Sequence, residues 1–193
     1  MATIDTFKSK LANGAARPNF FRVDLTFPTT SGEGADFAVS SPSDIALNAS
    51  FLIKATSLPS STLENINVPY RGRPVNFSGE RSFEPWNITV INDTDFSIRN
   101  AMEQWHNRIV RYDATQGAVA WESYQTTLKV TQLDRNDQAL YAYEFVNAYP
   151  TSIGSIDLNY DQTAAVEEFD VTFTFDYFTS VASGLPLTNA ADS

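Results

Sequence analysis

The single histidine, His106, is the first residue in this 193-residue chain that could serve hydrolytic chemistry. A Ser-His-Asp triad would need it as the general base, because the base takes the proton of the nucleophile. His106 lies beside Trp105 in a segment of helical periodicity, and no G-x-S-x-G motif places a serine on a strand–turn–helix elbow. The sequence favours a surface or interface histidine.

Paired carboxylates are the other candidates for catalysis. Glycoside hydrolysis needs two carboxyl groups roughly 5–10 Å apart across a cleft, and the pairs to consider are Glu167 with Glu168 and Asp157 with Asp161. Adjacent residues of a strand point to opposite faces, so the two glutamates would not share a cleft. The acid-rich turns lack a D-x-D-x-D-G calcium loop, and without cysteine there is no thiolate metal site or thiol nucleophile. We therefore predict a non-enzyme with no cofactor and no metal.

The aromatic residues suggest a different function, because a carbohydrate-binding β-sandwich uses tryptophan and tyrosine as platforms on which sugar rings stack. Trp86 and Trp121 would be the candidates. Trp86 belongs to an alternating core face and is predicted to be buried, whereas Trp121 lies in a loop. A module of this class would remain monomeric or dimeric, so it is distinguishable from a protein that polymerises.

The formal net charge of −10 argues against a protein that binds nucleic acid tightly, because neutralising the phosphates requires clustered lysine and arginine. The imbalance is also local. No lysine or arginine follows Arg135, whereas aspartate and glutamate continue to the end of the chain.

The N-terminal residues 1–11 lack the apolar region of a secretory signal, and no apolar run approaches the roughly 20 residues of a membrane helix. We therefore expect a soluble protein that is made inside the cell and has no membrane anchoring.

Alternation of apolar and polar residues predicts about eight strands. It is clearest in 166–178, where Phe169, Val171, Phe173 and Tyr177 share a face, so we predict that this is the central strand. The fold class is therefore mainly β, or α+β by count: an antiparallel sandwich or barrel with one flanking helix. The predicted strands are 19–27, 51–56, 61–70, 83–91, 124–133, 139–149, 153–160 and 166–178.

The helix is predicted over 95–110, after a run of short polar residues at 92–95 that can cap free backbone N–H groups. A further short helix over 1–15 is indicated only by Ile4, Phe7 and Leu11. The main helix packs flat against the sheet, since its apolar residues fall on one side and charged residues on the other. Its apolar side holds Ile98, Ala101, Met102, Trp105 and Ile109, and its polar side holds Arg99, Glu103, Asn107 and Arg108.

We predict a single domain, 1–193, with three irregular parts. Residues 28–50 are a long surface insertion, with at most a weak hairpin, and 179–193 are a flexible or docking tail. Residues 70–82 form a polar, glycine-punctuated excursion between two strands, which we interpret as an extended arm. This excursion carries Tyr70, Arg71, Arg73 and Arg81.

Four blocks of sequence resemble the tail tube proteins of contractile-tailed bacteriophages, which are related to type VI secretion tube proteins. They stand in the order of that family and together span most of the chain, whereas 28–50 and the tail after 178 depart from it. The blocks are ARPNFFRVDL (16–25), KATSLPS (54–60), RGRPVNFSGERSFEPWNITVIND (71–93) and YPTSIGSIDLNYD with VEEFDVTFTFDYF (149–161, 166–178).

The resemblance implies a structural virion subunit, assembled in the host cytoplasm, whose hexameric rings stack helically into a hollow cylinder. Genomic DNA passes through the bore without specific binding when the surrounding sheath contracts, and we expect few cations on the bore wall. The implied partners are copies of the chain, the tail sheath, baseplate and tail-terminator proteins, and a tape-measure protein. A tube subunit of a type VI secretion or other contractile injection system is the alternative.

Two sets of contact residues follow as hypotheses. Tyr70, Arg71, Arg73 and Arg81 are expected between subunits or rings, where guanidinium groups suit the acidic C-terminal half of the chain. The outer side of the helix is expected to face the sheath through Arg99, Glu103 and Arg108.

Overall fold

An antiparallel β-sheet forms the body of the protein in the computed structural model, which describes residues 3–10, 15–28, 42–113, 117, 120–161, 163, 165–182 and 185–186. The strands are β1 (Phe21–Asp24), β2 (Ile53–Thr56), β3 (Ser61–Tyr70), β4 (Arg73–Phe83), β5 (Trp86–Ile91), β6 (Thr126–Leu133), β7 (Ala139–Ile153), β8 (Glu168–Thr174), β9 (Tyr177–Ala182) and β10 (Leu185–Pro186). The main sheet has the strand order β1-β6-β7-β8-β5-β2, with β9 also paired to β7 and β10 to β9. The other two strands, β3 and β4, pair with each other in a separate sheet.

The 15-residue strand β7 organises the sheet because it pairs with three other strands. One edge pairs with β6, while the other pairs first with β9 and then with β8. The change of partner occurs at Asn147, whose φ is +58° and whose Nδ2 donates to Asp176 Oδ2 over 2.7 Å. Asparagine tolerates this left-handed conformation better than most residues. The strand therefore bends at this point.

The core combines aliphatic side chains with a cluster of aromatic rings that pack against one another. Trp86 stacks on Phe145 with ring centroids 4.3 Å apart, and Phe173 lies 5.7 Å from Trp86 and 6.0 Å from Trp105. All four side chains are fully buried. A core of this kind stabilises the fold in a chain that contains no cysteine.

Within the described ranges three α-helices accompany the sheet: α1 (Ile4–Lys10), α2 (Pro42–Leu52) and α3 (Ser97–Ile109). The third is the predicted main helix, with Ile98, Ala101, Met102 and Trp105 buried as expected. Its first turn is capped by Asp93, because Asp93 Oδ1 accepts from the backbone N–H of Ser97 over 3.0 Å.

Helix α2 corrects the sequence-based prediction for this segment, which was interpreted as a surface insertion containing at most a weak hairpin. Its inner face is Ile45, Ala49 and Leu52, a small set with helical spacing that a short alanine-rich segment easily conceals. Proline at the first helical position is favourable, because its missing N–H would be unpaired there anyway. Residues 42–50 of this insertion are therefore helical, whereas residues 29–41 lie outside the described residues.

Helix α2 packs against β1 at one edge of the sheet order and against β2 and β5 at the other. An 11-residue helix is only about 16 Å long. The sheet must therefore curve so that its two ends approach each other, and α2 lies across the gap between them.

Three predicted strands differ from the structure. The predicted strand 83–91 is interrupted at Glu84 and Pro85, because proline has no N–H for a ladder hydrogen bond. The predicted strand 153–160 was wrong: β7 ends at Ile153, and Leu158 and Tyr160 project into solvent. The apolar row of 166–178 is split between β8 and β9, and Tyr177 is exposed.

The mainly β, antiparallel fold class is confirmed. The described residues form three helices: the predicted main helix α3, α1 within the segment where a short helix was indicated, and α2, which was not predicted. The central role belongs to β7 rather than to 166–178, because β7 is the strand that pairs with β6, β8 and β9. Leu11, part of the predicted N-terminal helix pattern, lies outside the described residues, as do residues 187–193 of the predicted tail.

Candidate assembly surfaces

The β3–β4 hairpin is almost entirely exposed and contains the predicted arm. Its strands are joined by Arg71 and Gly72, whose φ values are +49° and +79°. Positive φ at both positions is typical of the two-residue type I′ turn, whose twist matches that of antiparallel strands. The arm is therefore a long hairpin over 61–83, and the predicted 70–82 segment is its turn and returning strand.

One face of this hairpin is apolar over its outer half. The register places Ile66 opposite Phe77 and Val68 opposite Val75, with Tyr70 next to the turn. These five side chains are between 41 and 61% exposed. Within the described residues, β3 and β4 pair with no other strand. An apolar face of this size on an exposed hairpin indicates an interaction surface.

The opposite face of the hairpin is polar. Asn65 Nδ2 donates to Asn76 Oδ1 over 3.2 Å, and Asn67 and Asn76 lie directly opposite each other. The difference between the two faces follows from strand geometry, because successive side chains point to opposite sides. The hairpin therefore has one apolar face and one polar face.

The hairpin brings together three of the four predicted contact residues. The Arg71 guanidinium lies over the Tyr70 ring, 5.4 Å from its centroid, and Arg73 is the cross-strand partner of Tyr70. Arg81 is separate, because it pairs with Leu63 beyond a register shift that moves it to the other face. Among the described residues, none of the three arginines forms an ion pair.

The apolar face was missed because the excursion was interpreted as polar. Its signal is nevertheless in the sequence, since Ile66, Val68 and Tyr70 alternate with polar residues and Val75 and Phe77 do so after the turn. Two alternating runs around a two-residue link containing glycine are the mark of a hairpin.

Helix α3 presents its polar side differently from the prediction. The Arg99 side chain is only 21% exposed, because it donates to Gly154 O over 3.1 Å and to Glu103 Oε1 over 2.9 Å and lies over the Phe169 ring. Arg108 is half-buried as well. Arg99 therefore ties α3 to the end of β7 instead of projecting outwards, which corrects the expectation that it is exposed.

The loop that follows α3 carries an exposed ion pair. Arg111 Nε and Nη2 donate to the two carboxylate oxygens of Asp113 over 2.9 and 2.7 Å. The hydrogen bond from the guanidinium lowers the pKa of Asp113, and the carboxylate raises the pKa of Arg111. Both groups are therefore charged at neutral pH, and Arg111 already has an ion-pair partner in its own chain.

The two carbohydrate-stacking candidates are separated by the fold. Trp86 is buried in the core, and its Nε1 donates to Ser57 O over 2.8 Å. Trp121 is 55% exposed. A pair of tryptophans on one binding surface is thus excluded.

Comparison with known families supplies the deciding observation. A sequence model of the family described as "Phage tail tube protein" matches residues 16–181. The chain belongs to the phage tail tube protein family. The resemblance of the sequence blocks to the tail tube proteins of contractile-tailed phages is thereby confirmed.

Individual phage tail tube proteins show the same relationship. The chain is 28% identical to tail tube protein gp19 of Enterobacteria phage T4 over 166 residues, which cover 84% of this chain and 90% of that protein. It is also 28% identical to the tail tube protein of Serratia phage KSP90 over 184 residues, which cover 94% of this chain and 98% of the relative.

Solved structures resemble this tail tube protein in fold. A chain in the PVC sheath–tube complex of an extracellular contractile injection system, in the extended state, aligns with a TM-score of 0.56 at 13% identity, covering 94% of this chain and 99% of that one. A chain in the anti-feeding prophage baseplate aligns with a TM-score of 0.59 at 13% identity, covering 89 and 98%.

The role of a phage tail tube protein is structural and non-enzymatic, and the protein is part of the tail of the virion. Among the described residues, no helix combines the length and apolar character needed to cross a membrane.

Proposed function

We propose that this tail tube protein polymerises with copies of itself into hexameric rings, which stack helically into a hollow cylinder. The observation that carries the proposal is the exposed apolar face of the β3–β4 hairpin, formed by Ile66, Val68, Tyr70, Val75 and Phe77. A two-stranded hairpin is only marginally stable in water on its own. Covering its apolar face with a neighbouring subunit would both stabilise the hairpin and hold the polymer together.

The sheet edges support the same proposal. Among the described residues, strands β3 and β4 pair only with each other, so each of them has one open edge. Open edges present unpaired N–H and C=O groups, and closing sheets from several subunits into one barrel satisfies them. The tube thus gains a continuous inner wall from edges that a single protomer leaves open.

The partners that we propose beyond the chain itself are the sheath, baseplate and tail-terminator proteins and an internal tape-measure protein. The similar folds in a sheath–tube complex, a baseplate and a tube-terminating cap support the first three. For the sheath we propose the outer side of α3, where Glu103 remains 45% exposed and Asn100 is exposed. Arg99 and Arg108 would contribute there less than the sequence indicated, because both are half-buried.

Genomic DNA would pass down the bore of this tube without specific binding. The support is the net charge of −10 and the absence of lysine and arginine after Arg135. Each cation paired with a phosphate would add a salt-sensitive attraction that slows the DNA. A wall of small polar and acidic side chains avoids that attraction.

Electron microscopy of the purified protein, alone and with its sheath partner, tests the proposed function. We expect long hollow tubes of uniform diameter with six-fold symmetry in end views, and decoration of these tubes when the sheath protein is present. Protein that remains monomeric or dimeric at concentrations and ionic strengths covering those of the cell, with baseplate added as a nucleus, would contradict it.

We predict that reversing the two tip arginines, Arg71→Glu with Arg73→Glu, shortens or abolishes tubes without unfolding the protomer. Both side chains are exposed and outside any described ion pair, and the contact of Arg71 with the Tyr70 ring lies on the surface, so reversing them costs the isolated fold little. An exposed ion pair is worth about 0–1 kcal/mol, but it recurs at every contact of a symmetric polymer. Polymer length by negative-stain microscopy and secondary structure by circular dichroism are the measurements.

The matched control for this pair is Arg135→Glu, which reverses an exposed arginine in the β6–β7 turn, far along the chain from the hairpin. Tubes of normal length are expected from the control. If the double variant also forms long tubes, these arginines are merely solvated and the contact rests on the apolar face alone.

A further inference from the structure

Helix α1 is amphipathic but unpartnered. Ile4 and Phe7 lie three residues apart on one side and are 74 and 67% exposed, and α1 buries no side chain against the described part of the chain. An isolated helix of seven residues is unstable in water, because most of its stability must come from packing an apolar face. This helix therefore requires a surface that the described part of its own protomer does not provide.

Helix α2 offers a complementary surface. Its inner side packs on the sheet through Ala49, while Leu47 and Phe51 point outwards and are 61 and 80% exposed. The two are four residues apart, so they form a short apolar stripe along the outer side of the helix. Two such large exposed side chains on one helix are typical of a contact site rather than of a solvated face.

We propose that α1 of one protomer docks on the Leu47–Phe51 stripe of α2 in a second copy of this chain, antiparallel to it. This inference rests on the proposed self-assembly and names one of its contacts. Single-protomer geometry argues for a second copy, because α1 leaves its apolar side exposed instead of packing on its own α2.

Charge and dipole fix the orientation. In the antiparallel arrangement Ile4 meets Phe51 and Phe7 meets Leu47. The distance along the helix axis from Ile4 to Lys10 is about 9 Å and that from Phe51 to Asp44 about 10 Å. Lys10, in the last turn of α1, therefore lies close to Asp44, in the first turn of α2. Antiparallel helices also place opposite dipole ends together.

The connection between α1 and the body allows this exchange. The backbone is fixed from Arg17 onwards, because Gln132 Nε2 donates to Arg17 O over 2.7 Å and to Phe20 O over 2.9 Å. Six residues separate Lys10 from Arg17, and an extended chain of that length spans roughly 20 Å. That reach limits the second copy to a subunit that directly adjoins the first.

Disulfide trapping in assembled tubes tests the contact cleanly, because the chain contains no cysteine. Two single variants, Ile4→Cys and Phe51→Cys, are mixed, polymerised and oxidised, and the products are separated on a non-reducing gel. A disulfide requires Cα atoms about 4.4–6.8 Å apart, so we expect cross-linked dimers from this mixture. The matched control mixture, Ile4→Cys with Asp44→Cys, should give little cross-linking, because an antiparallel pair separates these positions by about two helical turns.

A third sample, Ile4→Cys with Phe51→Cys in one chain, distinguishes exchange from folding back. Docking between copies gives a ladder of multimers, whereas docking within one chain gives an internally bridged monomer and overturns the proposal. Equal yields from the two mixtures, or no cross-link in tubes that form normally, would also overturn it while leaving the tube function intact. Failure of every sample and of the unmodified chain to form tubes would instead contradict the proposed function.

The charge contact has its own readout. In the Ile4→Cys background, Lys10→Glu should lower the cross-linking yield with Phe51→Cys by about threefold, the factor that corresponds to one exposed ion pair. Lys8→Glu is the control, since Lys8 lies further from Asp44 in this orientation. An unchanged yield in the Lys10 variant would remove the orientation argument.

Discussion

Replacing Trp105 by alanine is expected to lower the free energy of unfolding by about 3–5 kcal/mol, because the cavity left in an aromatic core is only partly filled by relaxation. Trp105 is fully buried, and its ring packs edge-on against Phe27 with centroids 5.7 Å apart. Its Nε1 also donates to Tyr124 O over 2.7 Å, a carbonyl that alanine would leave without this donor. Chemical denaturation of the protomer, followed by circular dichroism, measures the change.

Trp121→Ala is the matched control for this variant. It removes the same side chain from a position that is 55% exposed, so a change within about 0.5 kcal/mol is expected. If the Trp105 variant unfolds at the same denaturant concentration as the Trp121 variant, α3 is not held to the sheet by this side chain and the described core is incorrect.

The second large effect is expected from Phe77→Asp, which should abolish tube formation while leaving the protomer folded. Phe77 is 55% exposed in the single protomer, so the carboxylate there remains solvated and costs the fold little. In the proposed contact the same carboxylate would be buried without a partner, which costs about 2–5 kcal/mol at an interface. Because every subunit repeats the contact, the penalty is multiplied along the polymer.

Asn76→Asp separates the two faces of the hairpin. It adds the same charge to the adjacent residue of the same strand, which faces the polar side opposite Asn67. Tubes from the Asn76 variant and none from the Phe77 variant are the expected pair of results in electron micrographs, with equal circular dichroism spectra. If both variants polymerise, the apolar face does not lie at a contact, and the main support for the proposed assembly is lost.

Local pattern was sufficient to predict those elements that rest on one regular alternation or helical spacing. The helical face of α3 and the bounds of β3 could be predicted because each rests on a single periodicity. The bend of β7 at Asn147 could not, since it depends on which of two strands pairs with each half of β7. The alternation of apolar and polar residues in 166–178 suggested one continuous strand for the same reason, because alternation does not show which strand each half pairs with.

The candidate surfaces were predictable to a similar degree. Tyr70, Arg71 and Arg73 are adjacent along the chain and remain together around a two-residue turn. Arg81 is separated from them by a register shift, which alters the face that a side chain occupies and leaves no mark in residue composition. The hydrogen bond of Arg99 to Gly154 likewise depends on a tertiary contact that helical periodicity does not encode. Its ion pair with Glu103, four residues further along α3, is a local contact that helical spacing does encode.

The position of β8 between β5 and β7 has a consequence for the time course of biosynthesis. Trp86 pairs with Phe173 across β5 and β8, so strands distant in the sequence must meet before the sheet is complete. Topologies with such non-local pairing fold slowly, because closing a long loop costs entropy before the stabilising contact between the two strands has formed. A nascent chain extended to the hairpin already displays the apolar face of β3 and β4 while it still lacks β8. Until translation has passed β8, the hairpin with its exposed apolar face is attached to an incomplete body. Aggregation competes with productive folding most strongly during this interval.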